Sequence, residues 1–197
     1  MNKKFAASVL TVVALGFAST AILPATAATM ANSMSMKTKM VGGAPMYPNK
    51  NIVENAVNSK DHTTLVAAVK AAGLVDTLES KGPFTVFAPT NEAFAALPKG
   101  TVETLLKPEN KGKLTTILTD HVVAGHYDVK DLAAKAKAMG GSFKLKTVGG
   151  AMLTFTDKGG HVYVTDGAGG TARITIADVE QSNGVIQVVD KVLLPAG

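Results

Sequence analysis

The sequence predicts an α+β fold, and three features of the chain support this class. Helical patterns occupy the part from about residue 51 to 140, and strand patterns follow almost to the C-terminus. Segregation of helices and strands along a chain is typical of α+β domains. No segment repeats at a fixed period, and roughly 170 residues follow the first 28, which is enough for one domain with a substantial core.

Residues 1–28 have the pattern of a secretory signal peptide. Lys3 and Lys4 precede an apolar run, and small residues ending in "ATAA" follow it. An uncleaved membrane anchor is the alternative, since the run is nearly long enough to span a bilayer. The small residues at its end favour cleavage near Ala28. We therefore expect a secreted, extracellular or periplasmic protein with no membrane span after cleavage.

Composition excludes several classes of function. The chain has no cysteine, so it has neither disulfides nor thiol chemistry. Its net charge is +5, but Lys3 and Lys4 belong to the leader and Arg173 is its only arginine. Nucleic-acid binding proteins usually cluster arginine with aromatic residues. We expect no nucleic-acid partner.

Residues 29–50 are polar and small apart from methionine, and we predict a Met-rich flexible linker. Thioethers are soft ligands that suit Cu(I), so Met30, Met34, Met36 and Met40 offer an alternative interpretation as a copper site of a periplasmic binding protein. No histidine or cysteine accompanies them, which favours a linker without metal.

Organised structure is predicted from Asn51 onward. The segment "DHTTLVAAVKAAG" places its apolar side chains on one face of a helix that Asp61 or Thr63 caps and Gly73 ends. A second short helix follows in "LVDTLES", and the Gly-Pro pair after it breaks the pattern.

The stretch "FTVFAPTNEAF" predicts a corner between a strand and a helix. Pro89 ends the strand because it has no N–H to donate. Thr90 or Asn91 then caps a helix whose apolar side carries Phe94. The residues that we expect to build this corner are Thr85, Phe87, Pro89, Thr90, Asn91 and Phe94.

Three more helices are predicted before the strands begin. Two are separated near Pro108, and the second carries Leu114, Ile117, Leu118 and His121 at helical spacing, so that His121 lies on the apolar side at its end. A third helix follows in "YDVKDLAAKAK", with its lysines outward.

The remainder of the chain alternates in the manner of strands. "SFKLKTV", "AMLTFT" and "HVYVT" are separated by glycine turns, and two further strands are joined across Ser182 to Gly184. The last strand, from Val185 to Leu194, is apolar enough to be central in the sheet.

No catalytic motif is present in the sequence. The four histidines are scattered, without the i, i+4 spacing of a helical zinc site. No G-x-S-x-G elbow occurs, and Ser59, like the other serines near turns, has no plausible base beside it in sequence. The glycine loops lie between strands, so they are turns and not phosphate-binding loops. We expect neither an enzyme nor a cofactor.

Three motifs carry a family resemblance: "FTVFAPTNEAF", "ILTDHVVAGHY" and "GVIQVVDKVLLP", in that order. They resemble the signatures of the fasciclin-like domain family, in its small secreted bacterial form, over about Asn51 to Pro195. The resemblance implies a domain over 51–197 with a β-wedge or sandwich of two sheets and several helices packed to one side. In the last motif the residues implied to be structural are Val185, Ile186, Val189, Asp190 and Leu193.

The resemblance also implies function. Its members serve cell adhesion and associate with the extracellular matrix or cell surface without catalysis, so we expect a monomer that binds a surface protein or glycan. Two positions depart from the family: Asp120 replaces a usual tyrosine, and Gln187 replaces a frequent histidine. His121 matches and is interpreted as structural first and as interaction-related second. The residues that we expect to contact the partner are Asp120, His121, His126, Tyr127, Asp128, Lys130 and Asp131.

Overall fold

The structure, a computed structural model, describes residues 38–195, in which a seven-stranded sheet and a two-stranded hairpin accompany seven α-helices. The helices are α1 Ile52–Ala56, α2 Thr63–Ala72, α3 Val75–Glu79, α4 Asn91–Ala95, α5 Thr101–Leu105, α6 Lys111–Asp120 and α7 Val129–Ala138. The strands are β1 Lys39–Val41, β2 Ala44–Met46, β3 Phe84–Pro89, β4 Val122–Ala124, β5 Ser142–Lys146, β6 Met152–Lys158, β7 His161–Thr165, β8 Thr171–Gln181 and β9 Gly184–Val189. Short 3₁₀ turns lie at Lys60–His62 and Pro108–Asn110. The predicted α+β class is confirmed.

Strand β9 lies at the centre of the large sheet, as its apolar sequence predicts. The strand order is β4-β3-β9-β8-β7-β6-β5, with β9 parallel to β3 and antiparallel to β8. All six residues of β9 are buried, including Val185, Ile186 and Val189. Just beyond it, Asp190 Oδ1 accepts the backbone N–H of Arg173 at 2.8 Å, which fixes the end of the strand to β8.

The resemblance implies two sheets, whereas the structure joins their strands into one seven-stranded sheet through the long strand β8. The first residues of β8 pair with β7, and the rest pair with β9. Register shifts interrupt the β8–β9 pairing between Ile174 and Val179, and Asp178 in this bulge has a positive φ of 53°. A bulge bends a strand and re-aims its side chains. Here it brings Asp178 toward the start of α7.

Strand β3 separates two apolar cores. Val86 and Ala88 belong to a core built with α1, α2, α3, α4 and α6, whereas Phe87 on the opposite face belongs to a second core. This second core contains Leu132 and Ala136 of α7 together with side chains of strands β5 to β8. Helix α7 therefore packs apart from the other helices. The central strands are covered on both faces.

The flexible linker predicted for 29–50 is corrected from residue 39 onward. Strands β1 and β2 pair as an antiparallel hairpin, and the side chains of Val41 and Met46 are buried in the core with the helices. The turn of the hairpin lies on the start of the 3₁₀ turn, where Lys60 N–H donates to Gly42 O at 3.2 Å. Two apolar side chains gain a buried environment through this packing, which favours the ordered hairpin.

The corner after β3 uses both predicted caps, at different helices. Thr90 caps α4, because its Oγ1 accepts the backbone N–H of Ala93 at 3.3 Å. Asn91 Oδ1 instead accepts the backbone N–H of Thr64 at 3.0 Å and so caps α2 from a distant part of the chain. The cap predicted from Asp61 or Thr63 is therefore wrong. Phe94 is buried beside these helix starts, and Gly73 ends α2 in the left-handed conformation as predicted.

Candidate functional site

The predicted contact region, Asp120 to Asp131, divides into a buried part and an exposed part. Asp120 and His121 are each only 2% exposed, so the expectation that they contact a partner is wrong. Both lie where α6 ends against the sheet, and packing on that side removes them from solvent. His126, Lys130 and Asp131 are exposed.

His121 is held by two hydrogen bonds inside the protein. Its Nδ1 donates to the carbonyl of Ile117 at 2.8 Å, and its Nε2 accepts the backbone N–H of Leu193 at 2.9 Å. Burial lowers the pKa of His121 below its ordinary value, against the opposing effect of the bond to Ile117. The imidazole is therefore neutral at neutral pH and has a structural role.

Asp120 also makes internal contacts. Its Oδ1 accepts a hydrogen bond from Thr147 Oγ1 at 2.8 Å, and its Oδ2 has no hydrogen-bond partner among the described residues. A Cβ atom added at Gly149 would lie 2.3 Å from Asp120 Oδ1, so the turn between β5 and β6 approaches the carboxylate closely. Asp120 therefore connects the end of α6 to that turn.

The loop between β4 and α7 is fixed by buried polar side chains. The backbone N–H of Tyr127 donates to Thr85 Oγ1 at 3.0 Å, and its carbonyl accepts from Gln187 Nε2 at 3.1 Å. Thr85 and Gln187 are fully buried. Because both backbone groups of Tyr127 are bound, the residues on either side of it are held in place. In the sequence, Gln187 stands out only as a departure from the family pattern, which gives no sign of this role.

The bulge in β8 fixes the start of α7. Asp178 Oδ1 accepts the backbone N–H of Val129 at 2.7 Å and the amide of Gln187 at 2.9 Å. Asp128, the residue before the helix, makes no side-chain cap bond. Asp178 supplies that cap from another element, and a sequence pattern contains no signal for such a contact.

Three side chains that can bind metals meet beside this loop. His126 Nε2 lies 3.1 Å from Asp128 Oδ1 and 3.7 Å from Glu180 Oε1. Burial raises the pKa of Glu180 above its ordinary value, against the opposing effects of His126 and Lys39, and the carboxylates of Asp128 and Asp178 also raise it. His126 and Asp128 were predicted for the contact surface, whereas Glu180 was missed because it lies on β8, far away in sequence.

Ser59 and His62 form a pair that the sequence analysis did not anticipate. Ser59 Oγ lies 2.9 Å from His62 Nδ1, so Ser59 does have a base beside it, three residues later. Both residues are buried, and the hairpin turn covers Ser59, since a Cβ atom at Gly42 would lie 2.3 Å from its Oγ. Burial also lowers the pKa of His62. The pair is enclosed in the protein and joins the hairpin to α2.

The predicted copper ligands lie mostly outside the described residues. Met30, Met34 and Met36 are outside them, and so are the residues of the predicted signal peptide. Met40 lies on β1 with 59% of its surface exposed. Copper binding by these methionines stays a prediction. Among residues 38–195, none of the helices combines the length and apolar character that a membrane crossing requires.

Comparisons with known proteins find a matching family model and similar bacterial proteins. Residues 60–195 match the family model described as the fasciclin domain. Protein sll1483 of Synechocystis sp. is 50% identical over 159 residues, which cover 81% of this chain and 81% of that protein. Immunogenic protein MPB70 of Mycobacterium bovis is 38% identical over 145 residues, or 71% of this chain and 66% of that protein.

A solved structure has a similar fold. The FAS1 domain pair from the insect cell adhesion molecule Fasciclin I superimposes with a TM-score of 0.67 and 20% sequence identity. The match covers 75% of this chain and 52% of the insect chain. At this level of identity the likeness concerns the fold alone.

Proposed function

The chain belongs to the fasciclin domain family, and on this premise we propose that it is a non-enzymatic module for adhesion or surface interaction. The insect protein with the similar fold is a cell adhesion molecule, which supports this class of function. The observation that carries the proposal is the rigid mounting of the exposed loop between β4 and α7. Buried Thr85 and Gln187 hold its backbone, while His126 in the loop and Lys130 and Asp131 in the first turn of α7 remain accessible.

A rigid polar loop is suited to weak and repeated contacts. Fixing the loop before binding reduces the conformational entropy that a contact would otherwise cost. Many copies at a surface then multiply weak single contacts into firm attachment. The proposed partner is a protein or glycan of a cell surface or extracellular matrix, and the module binds it as a monomer.

The proposed location is outside the cytoplasm. The leader pattern over residues 1–28 supports export, either into the periplasm or out of the cell. Mass spectrometry of the exported protein should find a chain that begins near Ala28 or Thr29. An intact Met1 on a membrane-bound species would contradict export by cleavage.

The contacts of the described polar residues support a role without catalysis. The Ser59–His62 pair is enclosed beneath the hairpin, and the hydrogen bonds of His121 are all directed into the protein. A nucleophile and base must reach a substrate to act on it. These two sets of residues instead stabilise the junctions between elements.

Attachment assays test the proposal. Cells that lack the protein should attach less to a host surface, matrix or neighbouring cells than cells that express it. A variant with His126, Lys130 and Asp131 replaced by alanine should reproduce the loss, since it removes exposed groups of the loop and of the first turn of α7. Its matched control is the pair Glu103→Ala and Lys113→Ala, which also removes exposed charges of opposite sign, from α5 and α6.

Two outcomes distinguish the proposed adhesion function from the proposed contact surface. Unchanged attachment after loss of the whole protein, under conditions where it is expressed, would refute the adhesion function. Full attachment by cells that carry the three-residue variant would retain the function and reject these three residues as the contact surface.

A further inference from the structure

We propose that His126, Asp128 and Glu180 form a binding site for Zn²⁺. Each residue contributes one ligand atom, and the three atoms all lie within 4.8 Å of one another. One imidazole and two carboxylates are ligand types that Zn²⁺ accepts in proteins. The site stands independently of the proposed adhesion function, because it is inferred from this geometry alone.

Two of the three separations between the ligand atoms are close to those of a zinc site. Zinc ligands at about 2.1 Å in a tetrahedral arrangement lie about 3.4 Å from one another. The separations from His126 Nε2 are 3.1 Å to Asp128 Oδ1 and 3.7 Å to Glu180 Oε1, and the ligand oxygens of Asp128 and Glu180 lie within 4.8 Å of each other. Small rotations of the side chains would therefore bring these atoms to coordinating positions.

The backbone supports of the site are already in place. His126 and Asp128 flank Tyr127, whose N–H and carbonyl are bound by Thr85 and Gln187. Glu180 lies on β8, where it pairs with Val185 of the central strand. A metal site gains affinity when its ligands are held by rigid elements before binding. None of the three ligands lies on a chain terminus.

The site is reachable from solvent. The side chains of His126, Asp128 and Glu180 are 38%, 40% and 41% exposed. His126 also borders an open cleft lined by Asn51, Ser182 and Asn183. With three protein ligands, a tetrahedral ion retains one position for water or for a group from outside.

The local charge and the ligand types favour Zn²⁺ over Ca²⁺ and Mg²⁺. The carboxylates of Asp128 and Asp178 repel that of Glu180, while His126 and Lys39 attract it, and a divalent cation would offset the repulsion. Ca²⁺ requires 6–8 oxygen ligands, more than these three residues supply. Imidazole favours zinc, copper, iron or nickel over Mg²⁺. His126 also lies within pairing distance of the two carboxylates when no metal is bound, and titration with Zn²⁺ separates metal binding from this pairing.

Isothermal titration of the full chain with Zn²⁺, in a buffer without chelators, tests the site. We expect saturable binding of one ion per chain. His126→Gln, Asp128→Asn and Glu180→Gln should each weaken binding by at least about tenfold, since each removes a ligand. The matched controls are His161→Gln on β7 and Asp131→Asn on α7, which change exposed residues of the same types outside the cluster and should bind as the parent does.

Thermal melts with Zn²⁺ and with EDTA complete the test. In EDTA the three ligand variants should melt close to the parent, because their side chains are partly exposed. Zn²⁺ should raise the melting temperature of the parent and of the controls only. Absence of saturable binding by the parent would overturn the site. So would Zn²⁺ affinity that His126→Gln leaves intact, since the metal would then be bound elsewhere or His126 would serve only as an ion-pair partner.

Discussion

His121 Nε2 accepts the backbone N–H of Leu193 at 2.9 Å, and this bond joins the end of α6 to the segment after β9. The two residues are 72 positions apart. They lie in two motifs that carry the family resemblance, "ILTDHVVAGHY" and "GVIQVVDKVLLP". Because Nδ1 donates to Ile117 O at the same time, the pair of bonds requires the neutral tautomer with its proton on Nδ1.

Replacing His121 by alanine should destabilise the protein strongly. The change leaves the Leu193 N–H and the Ile117 carbonyl without these partners, and each buried unsatisfied group costs roughly 1–3 kcal/mol. Unfolding in urea, monitored by circular dichroism, measures the loss. His126→Ala is the control, because its partly exposed ring should cost less than about 0.5 kcal/mol. Equal losses in the two variants would contradict a structural role specific to His121.

Stability should fall as the solution becomes mildly acidic. Burial lowers the pKa values of His62 and His121 below the ordinary value of 6.5, so the folded protein binds these protons less readily than the unfolded chain. Their contribution to stability is therefore complete above 6.5 and is lost as the pH falls from there through the folded pKa values. Urea unfolding at a series of pH values should show a plateau above about pH 7 and a decline below about 6.5.

Two variants test whether the buried histidines cause this decline in stability. His121→Gln should flatten the dependence on pH below 6.5, because one of the two depressed groups is removed. His161→Gln changes an exposed histidine on β7 and should retain the slope of the parent. A slope that His121→Gln leaves unchanged would show that other groups cause the loss.

Local rules of sequence predicted most of the helices and strands. Three features were predicted from residues close together in sequence. They are the end of α2 at Gly73, the apolar strand β9 and the helical spacing that ends at His121. Preferences that depend only on neighbours in sequence can be read from a single segment of the chain. The same rules placed His121 correctly on the apolar side of α6.

Contacts between distant segments could not be predicted in this way. Strands β1 and β2 have only three residues each, too few for a periodic pattern, and Met46 is buried by elements that follow it in the chain. Glu180 meets His126 only because of the pairing of β8 and the bulge at Asp178. A bulge shifts the register by one residue and so changes which side chains meet.

The caps at the corner after β3 offer a third test. Thr90→Ala removes one bond to α4 and should cost about 1 kcal/mol. Asn91→Ala should cost at least as much, because the Asn91 amide caps Thr64 of α2 and also donates to the Lys60 carbonyl at 2.8 Å. Thermal melts of both variants measure these costs. Thr90→Ser retains the cap oxygen and should melt near the parent; a smaller effect for Asn91→Ala than for Thr90→Ala would contradict the bridge to α2.

The hairpin turn provides a matched pair of glycines for testing whether residues 39–46 pack on the domain. Gly42 and Gly43 both have positive φ values, 58° and 74°, so alanine at either position carries a similar backbone strain of about 1–2 kcal/mol. A Cβ atom at Gly43 would have no neighbour within 4 Å, whereas one at Gly42 would lie 2.3 Å from Ser59 Oγ and 2.7 Å from the Asp61 nitrogen. Gly42→Ala should therefore cost roughly 1–3 kcal/mol more than Gly43→Ala, because the hairpin must move away from the 3₁₀ turn. Urea unfolding of the two variants measures this difference, and equal costs would mean that the turn is not packed against Ser59 in solution.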